Sequence, residues 1–335
     1  MTAAATAAAG TNIALVKYWG KRDEALGLNL PATGSLSLTL DRMGTRTRVA
    51  FDGGDVGAAR DRITLDGAPA TEKMAARVST FLDRVRARAG IAARATVVTD
   101  NSVPTAAGLA SSASGFAALA VAAARAAGLA LAPAELSELA RLGSGSAARS
   151  IFGGFVEMAR GARADGSDAV AHPLEIGADW DIRLVVAITA AGEKALGSTA
   201  AMRRTAETSP YYEPWVRGVD GDLAAARAAI AARDLTALGA VAERSALRMH
   251  ASAFAADPPI VYWNPATLAA MTSVRTLRDR GTPAFFTIDA GPHVKVLCDA
   301  RDADAVAAAL ASTVGVLRTL IAAPGPGARV LEETA

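Results

Sequence analysis

Residues 101–120 read NSVPTAAGLASSASGFAALA. Gly108 frees the backbone, Ser111 and Ser112 offer hydroxyls, and the small apolar residues that follow predict a helix from about Ser112. A helix start presents N–H groups without intrahelical partners and the positive end of the dipole, so it suits an anion. A P-loop would read G-x-x-x-x-G-K-[ST], with its lysine against the phosphates. This stretch has neither lysine nor arginine. Taken alone, a Gly/Ser-rich turn before a helix is as readily structural as ligand-binding. If it does hold phosphate, the balancing charge must come from elsewhere in the chain.

The rest of the chain bounds where that charge can be. It has 335 residues, enough for two domains of ordinary size. With 51% hydrophobic and 20% charged residues, a packed core is expected. The net charge of +2 is too balanced for nucleic-acid binding through bulk charge, so any anion site is local. The single cysteine, Cys298, allows no intrachain disulfide and predicts a reducing, cytoplasmic setting. The opening MTAAATAAAG lacks a basic region and a strongly apolar core, and reads as a frayed tail, not a signal peptide. Residues 106–132 are apolar but mostly alanine, and serines, Gly115, Arg125 and Gly128 break them up. They predict a buried helix and a turn, not a membrane span.

Strand patterns occur at 11–19, 35–41, 45–52, 62–67 and 95–100, with a helix over 70–89. A short helix is expected in GSGSAARS (143–150), followed by a strand in GGFVEMARG (153–161). DIRLVVAIT (181–189) reads as a buried strand, and helical pattern dominates 197–281. Strands over 284–290 and 294–298 flank a glycine turn; a helix over 302–312 and a last strand follow. Strands and helices mix without strict alternation, which gives an α+β class. The best boundary lies near 180, dividing the chain into 1–180 and 181–335.

Only five of the 35 basic residues are lysines (Lys17, Lys21, Lys73, Lys194 and Lys295), and two of them fall within VKYWGKRD. That is either a chance surface pair or a segment that needs compact ammonium groups. Asp289 stands where a strand meets a glycine turn, so its carboxylate can enter a cleft; an Asp before Gly is also a common turn former. Ser146 and Arg149 share a helical face, and an arginine fork can grip a carboxylate. A solvated arginine and capping serines are the plainer alternatives. His250 and His293 read as packing or hydrogen-bonding residues, and Trp19 and Trp263 as core or rim aromatics. No His/Cys/carboxylate cluster has metal-site spacing, so the metal ligands stay unknown.

The pattern Pro104-x-x-x-Gly108-Leu109-x-Ser111-Ser112 resembles the phosphate loop of the GHMP kinase superfamily, which binds ATP without a Walker lysine. NIALVKYWGKRDEALGLNLPATGSLSLTLD (12–41), GSGSAARSIFGGFVE (143–157) and FFTIDAGPH (285–293) resemble signature regions of the diphosphomevalonate decarboxylase family. STAAMRRTAETSP (198–210) and MHASAFAADPPIVYWN (249–264) resemble it as well, so the likeness spans about residues 10–300. Two departures are His293, where the family usually has asparagine, and PATGS (31–35), where many members have an Asn-Ser turn. Neither is expected to touch a catalytic residue.

The resemblance implies a two-domain GHMP kinase fold, with an N-terminal domain like ribosomal protein S5 domain 2 and a ferredoxin-like C-terminal domain. It implies a homodimer, with no nucleic acid or membrane partner. The implied reaction is ATP- and Mg2+-dependent conversion of 5-diphosphomevalonate to isopentenyl diphosphate, ADP, phosphate and CO2. Asp289 would accept or direct the alcohol proton, Lys17 would sit near the transferring phosphoryl group, and Arg149 would hold the substrate carboxylate. Tyr18, Lys21, Ser144 and Ser146 would meet the diphosphate, with Ser198, Thr199 and Met202 as further substrate contacts. Pro104, Ala107, Gly108, Leu109, Ala110, Ser111 and Ser112 would form the ATP loop, with Mg2+ and the remote lysines balancing charge. A phosphomevalonate decarboxylase, a mevalonate 3-kinase and a catalytically silent ATP- or metabolite-binding regulator are the competing readings.

Overall fold

The computed structural model describes residues 4–23, 27–52, 60–102, 111–175, 180–192 and 195–334. The first half runs β1 (Ala4–Val16), β2 (Lys21–Asp23), β3 (Leu30–Pro31), β4 (Ser35–Ala50), β5 (Arg62–Leu65), β6 (Ala68–Pro69), α1 (Glu72–Ala89) and β7 (Thr96–Asn101). It continues through α2 (Ser111–Ala126), α3 (Pro133–Gly143), α4 (Ala147–Ser150), β8 (Phe155–Met158) and β9 (Ala171–Pro173). The second half runs β10 (Ile182–Ile188), α5 (Ser198–Thr208), α6 (Tyr212–Ala231), α7 (Leu235–Phe254), α8 (Pro265–Asp279), β11 (Ala284–Ile288), β12 (Val294–Asp299), α9 (Ala303–Ala311), β13 (Arg318–Ala322) and β14 (Arg329–Thr334).

The large sheet has the order β14-β1-β4-β7-β5-β6, with β8 and β9 branching from β4. Alanines 117, 118, 120 and 122–124 of α2 are all buried, and side chains this small let the helix lie close to β1 and β4. The helix gives way to a turn at Gly128, whose φ of 73° is the left-handed conformation glycine adopts freely. Among the described residues no helix is long and apolar enough to cross a membrane.

The start of the chain is not a frayed tail. Ala4–Gly10 belong to β1, paired with β4 on one side and, through Ala4–Ala8, with β14 on the other. Alanine is a poor strand former, but here the packing rewards its size: Ala5, Ala7 and Ala9 are buried in one core. Nor are 35–41 and 45–52 two strands. They form one 16-residue strand whose register shifts where Gly10 faces Gly44. A Cβ on Gly10 would lie 2.4 Å from Leu40 O, and one on Gly44 would lie 2.5 Å from Ala9 O. The two glycines absorb the irregularity inside the ladder, so no turn is needed.

The second sheet is antiparallel with the order β11-β12-β10-β13. Helices α5–α8 link its first two strands and α9 its last two, which is the ferredoxin-like arrangement. The chain then returns: β14 pairs with β1, so residues 329–334 lie in the first sheet although they follow the second in sequence. One core runs through both halves. Ile13, Leu15, Trp19, Leu36 and Leu38 pack in the same cluster as Leu184, Leu238, Met249 and Phe285. The end of β1 and the end of β11 meet at this junction.

Candidate active site

β1 ends at Val16, and the next residue turns an ammonium inward. Lys17 is 1% exposed. Its backbone N–H donates to Ser245 Oγ on α7 at 3.0 Å, which ties the segment to the second half. Its Nζ donates to Ala14 O at 2.8 Å and to Asp289 Oδ1 at 2.6 Å. Asp289 follows the last residue of β11, and Gly291 N–H closes the turn on its carbonyl at 2.7 Å. A second ammonium, that of Lys295 on β12, lies 3.0 Å from Asp289 Oδ2. Thus each carboxylate oxygen faces its own lysine. Burial alone would raise the Asp289 carboxyl, but the ammoniums of Lys17 and Lys295 outweigh it and hold it well below the usual carboxylate range. For Lys17, burial is the largest influence; Asp289 opposes it, Lys295 and Arg149 add to it, and the ammonium comes down to about 8.

The third buried cation is Arg149, 2% exposed, on α4. Its Nη1 donates to Ser35 Oγ at 2.6 Å and its Nε to Ser37 Oγ at 3.0 Å and Asn12 Oδ1 at 3.3 Å. Asn12 is itself fixed by donating to Ser150 Oγ and Ser146 O. These partners are neutral, and among the described residues no carboxylate forms an ion pair with Arg149. A buried guanidinium without a counter-ion is costly, and an anion in the cleft is what would compensate it. Burial draws its pKa down to about 10, which leaves it charged at neutral pH. Its neighbourhood overturns one expectation: PATGS was not expected to touch a catalytic candidate, yet its Ser35 is bonded to Arg149.

The Tyr18 ring lies 5.8 Å from the Arg149 guanidinium carbon. Its hydroxyl sits over the turn before α4, where a Cβ on Gly145 would fall 2.2 Å away. Ser144 and Ser146, either side of Gly145, hold their Oγ atoms 3.3 Å apart. Tyr18, Ser144, Ser146 and Arg149 are therefore gathered in one place. Lys21 begins β2. Ser198 and Thr199 open α5, with Thr199 exposed; Met202, one turn on, is 5% exposed inside the shared core. Of the expected ATP loop, Pro104, Ala107, Gly108, Leu109 and Ala110 lie outside the described residues. Ser111 opens α2 and Ser112 is exposed beside it.

Both singled-out histidines are buried. His250 lies against Trp263, with ring centroids 4.9 Å apart, and its Nε2 is 3.3 Å from Ile288 O. Burial first, and the Lys17 charge second, lower it to about 3, so it is neutral. His293 Nδ1 accepts from Thr189 N–H at 3.1 Å. Sequence reading missed Lys295, Asn12, Ser35 and Ser37. For Lys295 a signal was present, since a lysine inside the apolar run HVKVLC has to be paired or turned outward.

Residues 9–171 match the domain described as diphosphomevalonate decarboxylase-like N-terminal domain, and 184–322 match the mevalonate 5-diphosphate decarboxylase C-terminal domain. Diphosphomevalonate decarboxylase of Gibberella zeae is 35% identical over 321 residues, covering 91% of this chain and 83% of the relative. The Homo sapiens enzyme of that name is 35% identical over 314 residues, covering 88% and 76%. A solved complex of MDDEF with MVAPP, AMPPCP and magnesium superposes with a TM-score of 0.92 at 42% identity, over 99% of this chain and 100% of the other. Mevalonate diphosphate decarboxylase from Staphylococcus aureus gives 0.93 at 39% identity, over 99% of each chain. The chain belongs to the diphosphomevalonate decarboxylase family.

Proposed function

We infer that this chain uses ATP to decarboxylate (R)-5-diphosphomevalonate, giving isopentenyl diphosphate, ADP, phosphate and CO2. The observation that carries the reading is Arg149: a buried cation held by neutral partners, close enough for its charge to act on Lys17 and Asp289. A kinase of simple alcohols has no need of such a group beside its acid–base pair. A decarboxylase must hold a carboxylate there.

Each residue takes a role its geometry allows. Arg149 holds the substrate carboxylate, oriented by Ser35, Ser37 and Asn12. Asp289 faces the tertiary alcohol. With two ammoniums on it, Asp289 is a weak base toward a free alcohol, so the proton moves as phosphoryl transfer makes that oxygen acidic. The Lys17 ammonium stabilises the charge on the transferred group. When phosphate leaves, the electron deficit at the tertiary carbon draws the electrons of the C–C bond to the carboxylate. A double bond forms and CO2 departs. Tyr18, Lys21, Ser144 and Ser146 bind the diphosphate, and Ser198, Thr199 and Met202 line its approach. The segment 104–112 receives the ATP phosphates at the start of α2.

Mg2+, bound with the nucleotide, would offset charge on the phosphates during transfer. Among the described residues no three His, Cys, Asp or Glu side chains converge on a metal position. A homodimer in the cytoplasm is the assembly and compartment we propose; the single, buried Cys298 fits a reducing environment, and light scattering tests the dimer.

The purified chain with ATP, Mg2+ and diphosphomevalonate is expected to yield ADP, phosphate and CO2 in equal amounts. ADP without phosphate or CO2 would make it a 3-kinase. Faster turnover of 5-phosphomevalonate would make it the monophosphate decarboxylase. Nucleotide binding with no turnover of either substrate would leave a silent regulator.

A further inference from the structure

Lys295 is the second residue of β12, opposite Val186 of β10 and Thr287 of β11. The flanking residues Val294, Val296 and Leu297 are buried, and Lys295 itself is fully buried. A methionine or leucine would fill this space without the penalty of burying an ammonium. What the ammonium adds is its contact with Asp289 Oδ2, at 3.0 Å, while Lys17 holds Oδ1 at 2.6 Å. Two cations on opposite oxygens fix the carboxylate's torsion as one could not. Lys17 in turn is anchored by Ala14 O, which also accepts from Thr287 Oγ1 at 3.3 Å.

We propose that Lys295 is a positioning residue for the decarboxylation: it pins Asp289 through Oδ2, so that Oδ1 stays with Lys17 at the cleft and both groups keep the charge states the reaction needs. The proposal rests on the function inferred above.

The charged and titratable groups around Asp289 are Lys17 at the end of β1, Lys295 on β12, Arg149 on α4 and the neutral His250 on α7. Removing Lys295 takes away one of the two ammoniums that hold Asp289 down. It also takes away a like charge that holds Lys17 down. Both groups become more basic, a displacement that a purely packing role for Lys295 would not produce.

The test is the pH profile of CO2 release by the full chain and two variants, Lys295→Met and Lys295→Arg, with thermal melts to establish folding. In the wild type, kcat/KM is expected to fall on the alkaline side as Lys17, brought down to about 8, loses its proton. Lys295→Met is expected to lose about 10²-fold in kcat, the scale of a misplaced catalytic group. Its alkaline limb moves up by about one unit or more, the effect of deleting a charge at this range. KM for diphosphomevalonate stays within about threefold, because Lys295 is fully buried. Lys295→Arg keeps the limb near pH 8 and recovers most of kcat.

A folded methionine variant with wild-type kcat overturns the proposal, and so does a loss of kcat with an unmoved limb. If the methionine variant does not fold, the arginine variant decides alone. A folded Lys295→Arg with the limb in place supports the proposal, and one with a displaced limb overturns it. Absence of CO2 from the wild type would instead reject the inferred function.

Discussion

Replacing Asp289 with asparagine keeps the side chain's shape and removes the carboxylate shared by the buried ammoniums of Lys17 and Lys295. Asp289→Asn is expected to lower turnover by at least about 10²-fold, the low end for a general acid–base group. Its Tm should fall as well, since Lys17 and Lys295 then lie buried without their counter-charge. Stopped assays paired with melts separate the two effects, and near-normal turnover in a folded variant would return Asp289 to a turn former. At this scale the sequence was legible where a residue type is rare or oddly placed. Lys17 stood out among five lysines, and Asp289 stood out before its glycine turn. The seryl and asparaginyl partners of Arg149 were not legible. Ser35 and Ser37 look like the polar face of an alternating strand, and only the fold turns that face onto the guanidinium. Lys295 was visible as an anomaly, but its partner lies across a hairpin turn and only the β11–β12 register brings the two together.

Between α3 and α4, three residues form the turn proposed to meet the diphosphate. Gly145 sits beneath Tyr18 while Ser144 and Ser146 flank it. A Cβ on Gly145 would come 2.2 Å from the tyrosine hydroxyl and 2.6 Å from Cζ, so Gly145→Ala must push the ring aside. The expected result is a rise in KM for diphosphomevalonate of about tenfold to a hundredfold, one charge-assisted hydrogen bond's worth of binding. In a Tyr18→Ala background the same substitution should cost less, because the ring atoms it strikes are gone. A double-mutant cycle on KM measures the difference; equal costs in both backgrounds would mean that the glycine serves only the backbone. The short helix α4 could be read from its flanking serines, and α2 from its small apolar run. The opening strand could not, because an alanine tract carries no period of its own. Its β structure comes from the strands on either side, and Ala5, Ala7 and Ala9 are buried in the core that α2 shares.

On the scale of the molecule, the boundary near residue 180 divides the sequence but not the core. The sequence pattern marks residues 11–19 and 35–41 as strands and 197–281 as largely helical, yet it cannot say which of them touch. The structure puts Leu36 and Leu38 of β4 in one cluster with Leu238 and Met249 of α7, and β14 stitches the end of the chain to its beginning. Lys17 and Asp289, from opposite halves, meet beside this shared core, so the distance between them is set by packing and not by a hinge. The halves should therefore lose stability together. Leu238 is fully buried, and Leu238→Ala is expected to cost about 2–5 kcal/mol, the range for a leucine truncated in a core. Hydrogen exchange can show how that loss is distributed. If the core is one cooperative unit, amides of β4 and β1 in the first sheet accelerate along with those of β10 and β12 in the second. Exchange that quickens only between residues 181 and 322 would mean that the halves unfold independently. The separation of Lys17 from Asp289 would then be free to vary with each local opening.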